Sequence, residues 1–261
     1  MKRWSRNRSS ASTEHRGFLF WIGFYISERV PELTSDKIIF KNSDFVAIDK
    51  GTNISIHNGE DTSEDDLIAI VQRFYGLKTI FPVHRLDKET TGVQIFAFNQ
   101  DAARLVSAEF QNRSVKKNYH ALVSGPVGAK SGGWNWSLTD KSEGRRSPAG
   151  ASKDRVVCET RFERIDTSKY FSHLNLQLIT GRTHQIRKHA ALAGHAVVGD
   201  ARYGDSRLNR RIVKIYSESR MFLHCHRIEI FGETIISPLP EVFSSVMMRS
   251  KMPTPIAGSN E

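Results

Sequence analysis

Cysteine is nearly absent from this chain, with two in 261 residues. Cys158 and Cys225 cannot build a disulfide framework, and they have no metal-ligand spacing. Such usage fits a reducing compartment, and the cytoplasm is the expected one. Long apolar runs are missing too. Residues 18–26 form a run of only nine, where a bilayer-spanning helix needs about 20. A basic leader before a short apolar run resembles the layout of a signal peptide. Its length, Glu14 within it and the lack of a small-residue cleavage site after Ile26 speak against that reading. Docking on the domain surface, a weak membrane contact or an upstream extension with no role is left for the run. Acidic residues are the third shortage: 28 Asp and Glu face 38 Lys and Arg, a balance of 38 − 28 = 10. That surplus suits a polyanionic partner, nucleic acid or an anionic membrane surface, without choosing between them. Internal repeats are also lacking. The remaining composition, 39% apolar and 25% charged, is that of a globular chain with a substantial core.

The pattern of elements points to one domain over residues 34–250. Residues 1–33 are expected to be a basic, disordered extension, and 251–261 a disordered tail. Two short strands are expected at 38–40 and 45–48, across a Lys-Asn-Ser-Asp turn. A helix capped by Thr62 is expected to carry Leu67, Ile70, Val71 and Phe74 inward and to stop at Gly76. A strand at 93–98 precedes a helix at 101–112 whose inward residues are Ala102, Leu105, Val106 and Phe110. Residues 116–123 read as a strand with a basic mouth. Residues 125–153 read as a mobile loop with room for a hairpin around Trp134 and Trp136. Paired strands follow at 156–164 and 170–179, with Leu174, Leu176 and Leu178 on one face. A basic helix is expected in 181–194, an Arg-dense loop at 199–214, and strands at 221–230 and 235–236.

Two stretches carry chemistry. The first is residues 84–98, His-Arg-Leu-Asp-Lys-Glu-Thr-Thr-Gly-Val-Gln-Ile-Phe-Ala-Phe. It presents Asp87, two residues after Arg85, on a turn that enters a strand, a place where rigid scaffolds often hold catalytic groups. On spacing alone, a turn with a solvated carboxylate is the stronger reading. The second is residues 178–189, Leu-Ile-Thr-Gly-Arg-Thr-His-Gln-Ile-Arg-Lys-His, continuing to Gly204. Arg182 stands at a strand-to-helix junction, with His184, Arg187 and Lys188 one turn on. A solvated basic helix face is the plain alternative. His184 and His189 are five apart and fall on different faces, and His224 and His226 have no evident third ligand. No metal is expected.

Together these stretches resemble a known family. His84-Arg-Leu-Asp87 with Thr90-Thr-Gly92 is similar to the His-Arg-Leu-Asp-x-x-Thr-Ser-Gly signature of the RluA-type pseudouridine synthases. Gly181-Arg-Thr-His-Gln-Ile-Arg187 with His189 and Gly199-Asp200 resembles that family's other hallmark. Lys117-Asn-Tyr119 matches its Lys-x-Tyr element, and Arg220-Met-Phe-Leu-His224 its pocket-closing strand. The likeness runs from about residue 38 to 243. Thr91 replaces a Ser and keeps the hydroxyl. Asp49-Lys-Gly51 replaces Asn-Lys-Pro, which is expected to loosen that turn. Ala196 stands where a Pro is usual. The family's frequent S4 RNA-binding domain is not expected, because the thirty-odd residues before the first strand are too few to hold it. Residues 199–210 resemble the TruC-like, tRNA-modifying branch, with ribosomal RNA left open.

The resemblance implies an α+β fold: a long mixed, mostly antiparallel β-sheet with flanking helices and a central basic active-site cleft. It implies isomerisation of uridine to pseudouridine in structured tRNA or rRNA. No electrons enter or leave, so no cofactor is expected. Asp87 is implied as the essential carboxylate, nucleophile or base, with Arg182 as the guanidinium that orients it. Tyr119 is implied as the pocket tyrosine against the uracil and Leu223 as an apolar wall, with His84 beside them. Arg85 is the residue implied to fill the gap left by a flipped base. Lys116, Lys117, Arg187, Lys188, Arg202, Arg207, Arg210 and Arg211 are expected to hold phosphates. RNA is the expected partner, with no membrane, no obligatory protein partner and a monomer. The competing reading is an RNA-binding protein that uses the same cleft without catalysis. A membrane-surface protein using residues 18–26 is the third.

Overall fold

The computed structural model describes residues 32–56 and 66–252. Thr62, the apolar run at 18–26 and the tail beyond 252 lie outside the described residues. Strands β1 (Ile38–Lys41) and β2 (Phe45–Lys50) pair antiparallel and lead to helix α1 (Leu67–Tyr75). The short β3 (Phe81–Pro82) and the long β4 (Thr91–Ala97) flank the Asp87 loop. Helix α2 (Gln100–Gln111) is followed by β5 (Lys116–Ser124), β6 (Ser131–Trp134), β7 (Thr160–Thr167) and β8 (Phe171–Leu178). Then come α3 (Gln185–Leu192), α4 (Ser206–Tyr216), β9 (Leu223–Ile230), β10 (Glu233–Ile236) and α5 (Val242–Lys251). The strands form one ten-stranded sheet in the order β1-β2-β4-β9-β5-β8-β7-β6, with β10 on β9 and β3 on β4. Only β4 and β9 run parallel among the described strands. The fold is the expected mixed, mostly antiparallel α+β sheet.

Alternation on the central strands separates two cores. Tyr119, Ala121 and Val123 of β5 join Leu174, Leu176, Leu223 and Cys225 in the larger cluster. Leu122 packs instead with Phe222, Ile212, Phe243, Val246 and Met247 beneath α4 and α5. Val46, Ile48 and Phe96 pack against Leu67 and Val71 of α1. Gly92 pins the centre of the sheet. It pairs with Cys225 across the parallel junction at φ 108°, and a Cβ there would overlap the Cys225 carbonyl.

Several expectations are corrected. The Arg-dense stretch is the helix α4, not a loop. Asp205 caps it by accepting from the amides of Arg207 and Leu208, and Leu208, Ile212 and Tyr216 recur every fourth residue on its inner face. Helix α5 was not expected at all. Trp134 belongs to β6, which pairs with β7 and forms no separate hairpin with Trp136. The cap of α1 is Asp66, whose side chain accepts from the Ala69 amide, and Gly76 ends the helix in the left-handed conformation. Phe74 and Leu105 face solvent, 39% and 66% exposed, where inward positions were expected.

Candidate active site

The Asp87 loop is held from both sides. Lys50, 1% exposed, sends its ammonium to the carbonyls of Lys88 (2.9 Å), Thr90 (2.7 Å) and Gly51 (3.0 Å). Thr52 donates to the Glu89 carbonyl at 3.2 Å. From the strand side, Gln94 is fully buried. Its amide nitrogen donates to the His84 carbonyl at 2.7 Å, and its oxygen accepts from the Leu86 amide at 3.2 Å. His84 turns its Nε2 toward the Ile95 amide at 3.0 Å and stacks on Phe110, so it is a structural strut of the loop. Burial, together with the Lys117 charge, pushes its pKa down to about 3, so it is neutral and accepts that bond. Gly51 therefore does not leave its turn loose, because the Lys50 ammonium binds its carbonyl. Burial lowers the Lys50 pKa to about 8, against the opposing pull of Asp87 and Glu89.

Arg187, not Arg182, is the guanidinium beside Asp87. Its Nη1 donates to Asp87 Oδ2 at 2.8 Å, while Nε and Nη2 grip Asp200 at 2.7 and 2.9 Å. Arg182 pairs with Asp140 at 2.6 Å. Helix α3 decides between them: Arg187 lies inside it and faces the core at 3% exposure, whereas Arg182 precedes it. Burial opposes the Arg187 charge, but the hydrogen bonds and charge of Asp200 and Asp87 outweigh it and raise its pKa. Burial likewise works against the Asp200 carboxylate, and Arg187 with the Tyr203 and Arg202 amides holds it below the usual range. Lys188 is fully buried and donates to the Thr139 and Lys141 carbonyls. Neither Arg187 nor Lys188 is placed for phosphate, contrary to the sequence expectation.

The other oxygen, Asp87 Oδ1, faces His184 Nε2 at 3.7 Å. His184 is left-handed at φ 54° and sets its Nδ1 3.0 Å from the Tyr203 hydroxyl. Burial and the charges of Arg187 and Arg202 lower the His184 pKa, although Asp87 pulls the other way. Burial pushes the Tyr203 hydroxyl up to about 12. A cavity of about 650 Å³ opens at Asp87, with Tyr119, Leu223, Lys117, Arg85 and Arg182 on its walls. Tyr119 is 7% exposed; burial and the neighbouring Cys225 thiol hold its pKa well above 10, so it stays a phenol. A second cavity of about 560 Å³ shares Arg85, Asp87, His184 and Arg187 with the first and adds Lys88 and Arg202.

The remaining cations fall into two groups. Lys117 is 8% exposed inside the first cavity. Lys116, Arg202, Arg207, Arg210 and Arg211 are exposed, and Lys116 pairs with Glu229 at 3.0 Å. Sequence reasoning assigned no role to Lys50, Gln94 or Tyr203. Lys50 and Gln94 stand in or at the end of the near-continuous apolar runs of β2 and β4, strands buried on both faces, and that was the signal for them.

The family profile of RNA pseudouridylate synthase matches residues 44–192. The chain belongs to that family. It is therefore an RNA-modifying isomerase, converting uridine to pseudouridine. The tRNA pseudouridine synthase C of Haemophilus ducreyi is 32% identical over 199 residues, 72% of this chain and 82% of that protein. The ribosomal large subunit pseudouridine synthase C of Vibrio vulnificus is 30% identical over 211 residues, covering 81% and 66%. The human RNA pseudouridylate synthase domain containing 4 shares the fold, with TM-score 0.68 at 24% identity over 84% of this chain and 95% of that one. Among the described residues no helix is long and apolar enough to cross a membrane.

Proposed function

We propose that this pseudouridine synthase acts on a uridine in structured tRNA, with Asp87 as the group that attacks the ribose. The observation that carries the reading is the unequal dressing of the Asp87 carboxylate. Oδ2 is fixed by Arg187, while Oδ1 meets the cavity and, among the described residues, faces His184 Nε2 at 3.7 Å. In the reaction the C1′–N1 bond breaks and a C1′–C5 bond forms on the same base. The C5 proton leaves, N1 gains one, and no electrons are exchanged. A carboxylate held by one oxygen is preorganised for such a step, with little ordering left to do in the transition state. Tyr119 and Leu223 form the stacking and apolar walls for the uracil, and the Tyr119 phenol is a proton carrier of fitting chemistry. Arg85, exposed at the mouth of both cavities, is the residue to enter the gap left by the flipped base. Lys116, Arg202, Arg207, Arg210 and Arg211 form the phosphate-holding rim of a basic cleft.

The tRNA assignment is supported by the tRNA pseudouridine synthase C relatives, and rRNA is the second reading because of the ribosomal one. A cytoplasmic monomer with the catalytic domain at 34–250 completes the proposal. The test is a pseudouridine map of total RNA from cells with and without the gene, complemented by wild type or Asp87→Asn. One tRNA uridine should lose its mark and regain it only with wild type. Purified Asp87→Asn should bind that RNA within a few-fold of wild type. Restoration of the mark by Asp87→Asn would remove Asp87 from its role, and loss of an rRNA mark instead would move the substrate.

A further inference from the structure

Three lysines among the described residues are almost fully buried: Lys50, Lys188 and Lys117, at 1%, 0% and 8% exposure. The first two show what the fold does with a buried ammonium. Lys50 meets three main-chain carbonyls and Lys188 meets two, all between 2.7 and 3.0 Å. Lys117 has no such partner among the described residues. Its Nζ lies 5.9 Å from the Phe110 ring centroid, and a Cβ built on Gly181 would sit 3.6 Å from it. Its ionisable neighbours are the neutral His84, the Cys225 thiol with its pKa pushed up to about 12, and Arg113, a like charge. A buried cation without an acceptor is costly. The fold tolerates this one on the wall of the cavity that also holds Asp87 and Tyr119.

Lys117 and Tyr119 stand two residues apart on β5 and reach the same cavity. Phe110, Val83 and Leu178 supply apolar wall there, beside the polar Ser107, Gln111 and Arg113. An oxygen acceptor arriving there is carried by whatever stacks on Tyr119. We propose that Lys117 donates a hydrogen bond to a ring carbonyl oxygen of the flipped uracil, positioning the base over Asp87. The assignment rests on the pseudouridine synthase reading. It replaces a phosphate-holding role for this lysine, because phosphates follow the open surface and Lys117 lies within the cavity.

The experiment compares wild type, Lys117→Met and Lys117→Arg as full chains, with tRNA and rRNA purified from a strain deleted for the gene. Three quantities are read: the thermal midpoint without RNA, the single-turnover rate of pseudouridine formation, and the salt dependence of RNA affinity. Lys117→Met should raise the midpoint, since a desolvated charge is replaced by an apolar chain of similar length. Its single-turnover rate should fall about 10–100-fold, the usual scale for losing a hydrogen bond from a charged group. The slope of log affinity against log salt should stay at the wild-type value. Lys117→Arg should keep part of the rate. A slope shallower by about one would identify a phosphate contact and overturn the proposal. A lowered midpoint with a rate loss matching the unfolded fraction would make Lys117 structural, and an unchanged rate would free it of any role. Wild type that forms no pseudouridine in either RNA would sink the synthase reading and this inference with it, an outcome the wild-type arm separates from the others.

Discussion

The two oxygens of Asp87 live in different surroundings, and one buried arginine is responsible. In this charge cluster Arg187 links Asp87, which opens onto the cavity, to the fully buried Asp200, and is itself closed to water. Removing a partner from such a cluster strands the remaining charge, at about 3–5 kcal/mol. Arg187→Met should therefore lose stability on that scale in urea unfolding. Arg182→Met, which breaks the largely exposed pair with Asp140, should lose less than about 1 kcal/mol. Equal losses would contradict this geometry. The motif 181–189 made an arginine partner for Asp87 foreseeable, yet not which arginine. Both are five residues apart in a basic run, and the choice depends on where α3 begins. It begins late because His184 adopts the left-handed conformation, which the identity of a histidine does not announce. Asp87, Tyr119 and Leu223, by contrast, were legible because each sits in a short motif that resembles the family's, and all three line one cavity.

At the scale of elements, α4 shows how charge can conceal periodicity. Leu208, Ile212 and Tyr216 are a plain four-residue repeat, but four basic residues share the helix and make it read as a solvated loop. The same feature sends Arg207, Arg210 and Arg211 outward together, on the face opposite the packed stripe. If that face follows an RNA backbone, each arginine that neutralises a phosphate contributes about 0.7–0.9 to the slope of log affinity against log salt. A triple Arg207→Ala, Arg210→Ala, Arg211→Ala variant should bind the target RNA with a slope shallower by two or more. Its single-turnover rate at saturating enzyme should be preserved, because none of the three lines the Asp87 cavity. An unchanged slope would take α4 out of the interface. Helix α5 escaped notice for another reason. Its buried side, Phe243, Val246 and Met247, is short, and nothing in the sequence says that the second face of the sheet needs a cover.

Across the whole molecule, the sheet sets a group of four histidines apart from the Asp87 cavity, which His84 and His184 line. His120, His173, His224 and His226 cluster on the face away from Tyr119, next to Phe243 of α5. His120 Nδ1 and His173 Nε2 are 2.9 Å apart, so one ring donates and the other, which has to be neutral, accepts. Burial, followed by neighbouring histidines, pushes His120 down to about 3; burial pushes His173 to about 4 despite Asp166, and His224 to about 4 despite the Ser237 carbonyl. In the unfolded chain these groups titrate near 6.5. Above that pH neither state is protonated and the histidines contribute nothing to pH dependence. Below it the unfolded chain takes up protons that the folded one refuses, so stability falls as pH drops from about 6.5 toward 4. Each histidine contributes about 1.4 kcal/mol per pH unit in that window. The depressed carboxylates Asp200 and Asp140 act in the same direction but only below their ordinary pKa of 3.8, so the two effects separate. Thermal midpoints should be level from about pH 8 to 6.5 and fall steeply by pH 5. A His120→Asn, His173→Asn double variant should be less stable at pH 8 and show a visibly flatter descent. A midpoint that holds from pH 6.5 to 5 in wild type would mean that the cluster accepts protons in the folded state, through water or a shifted α5.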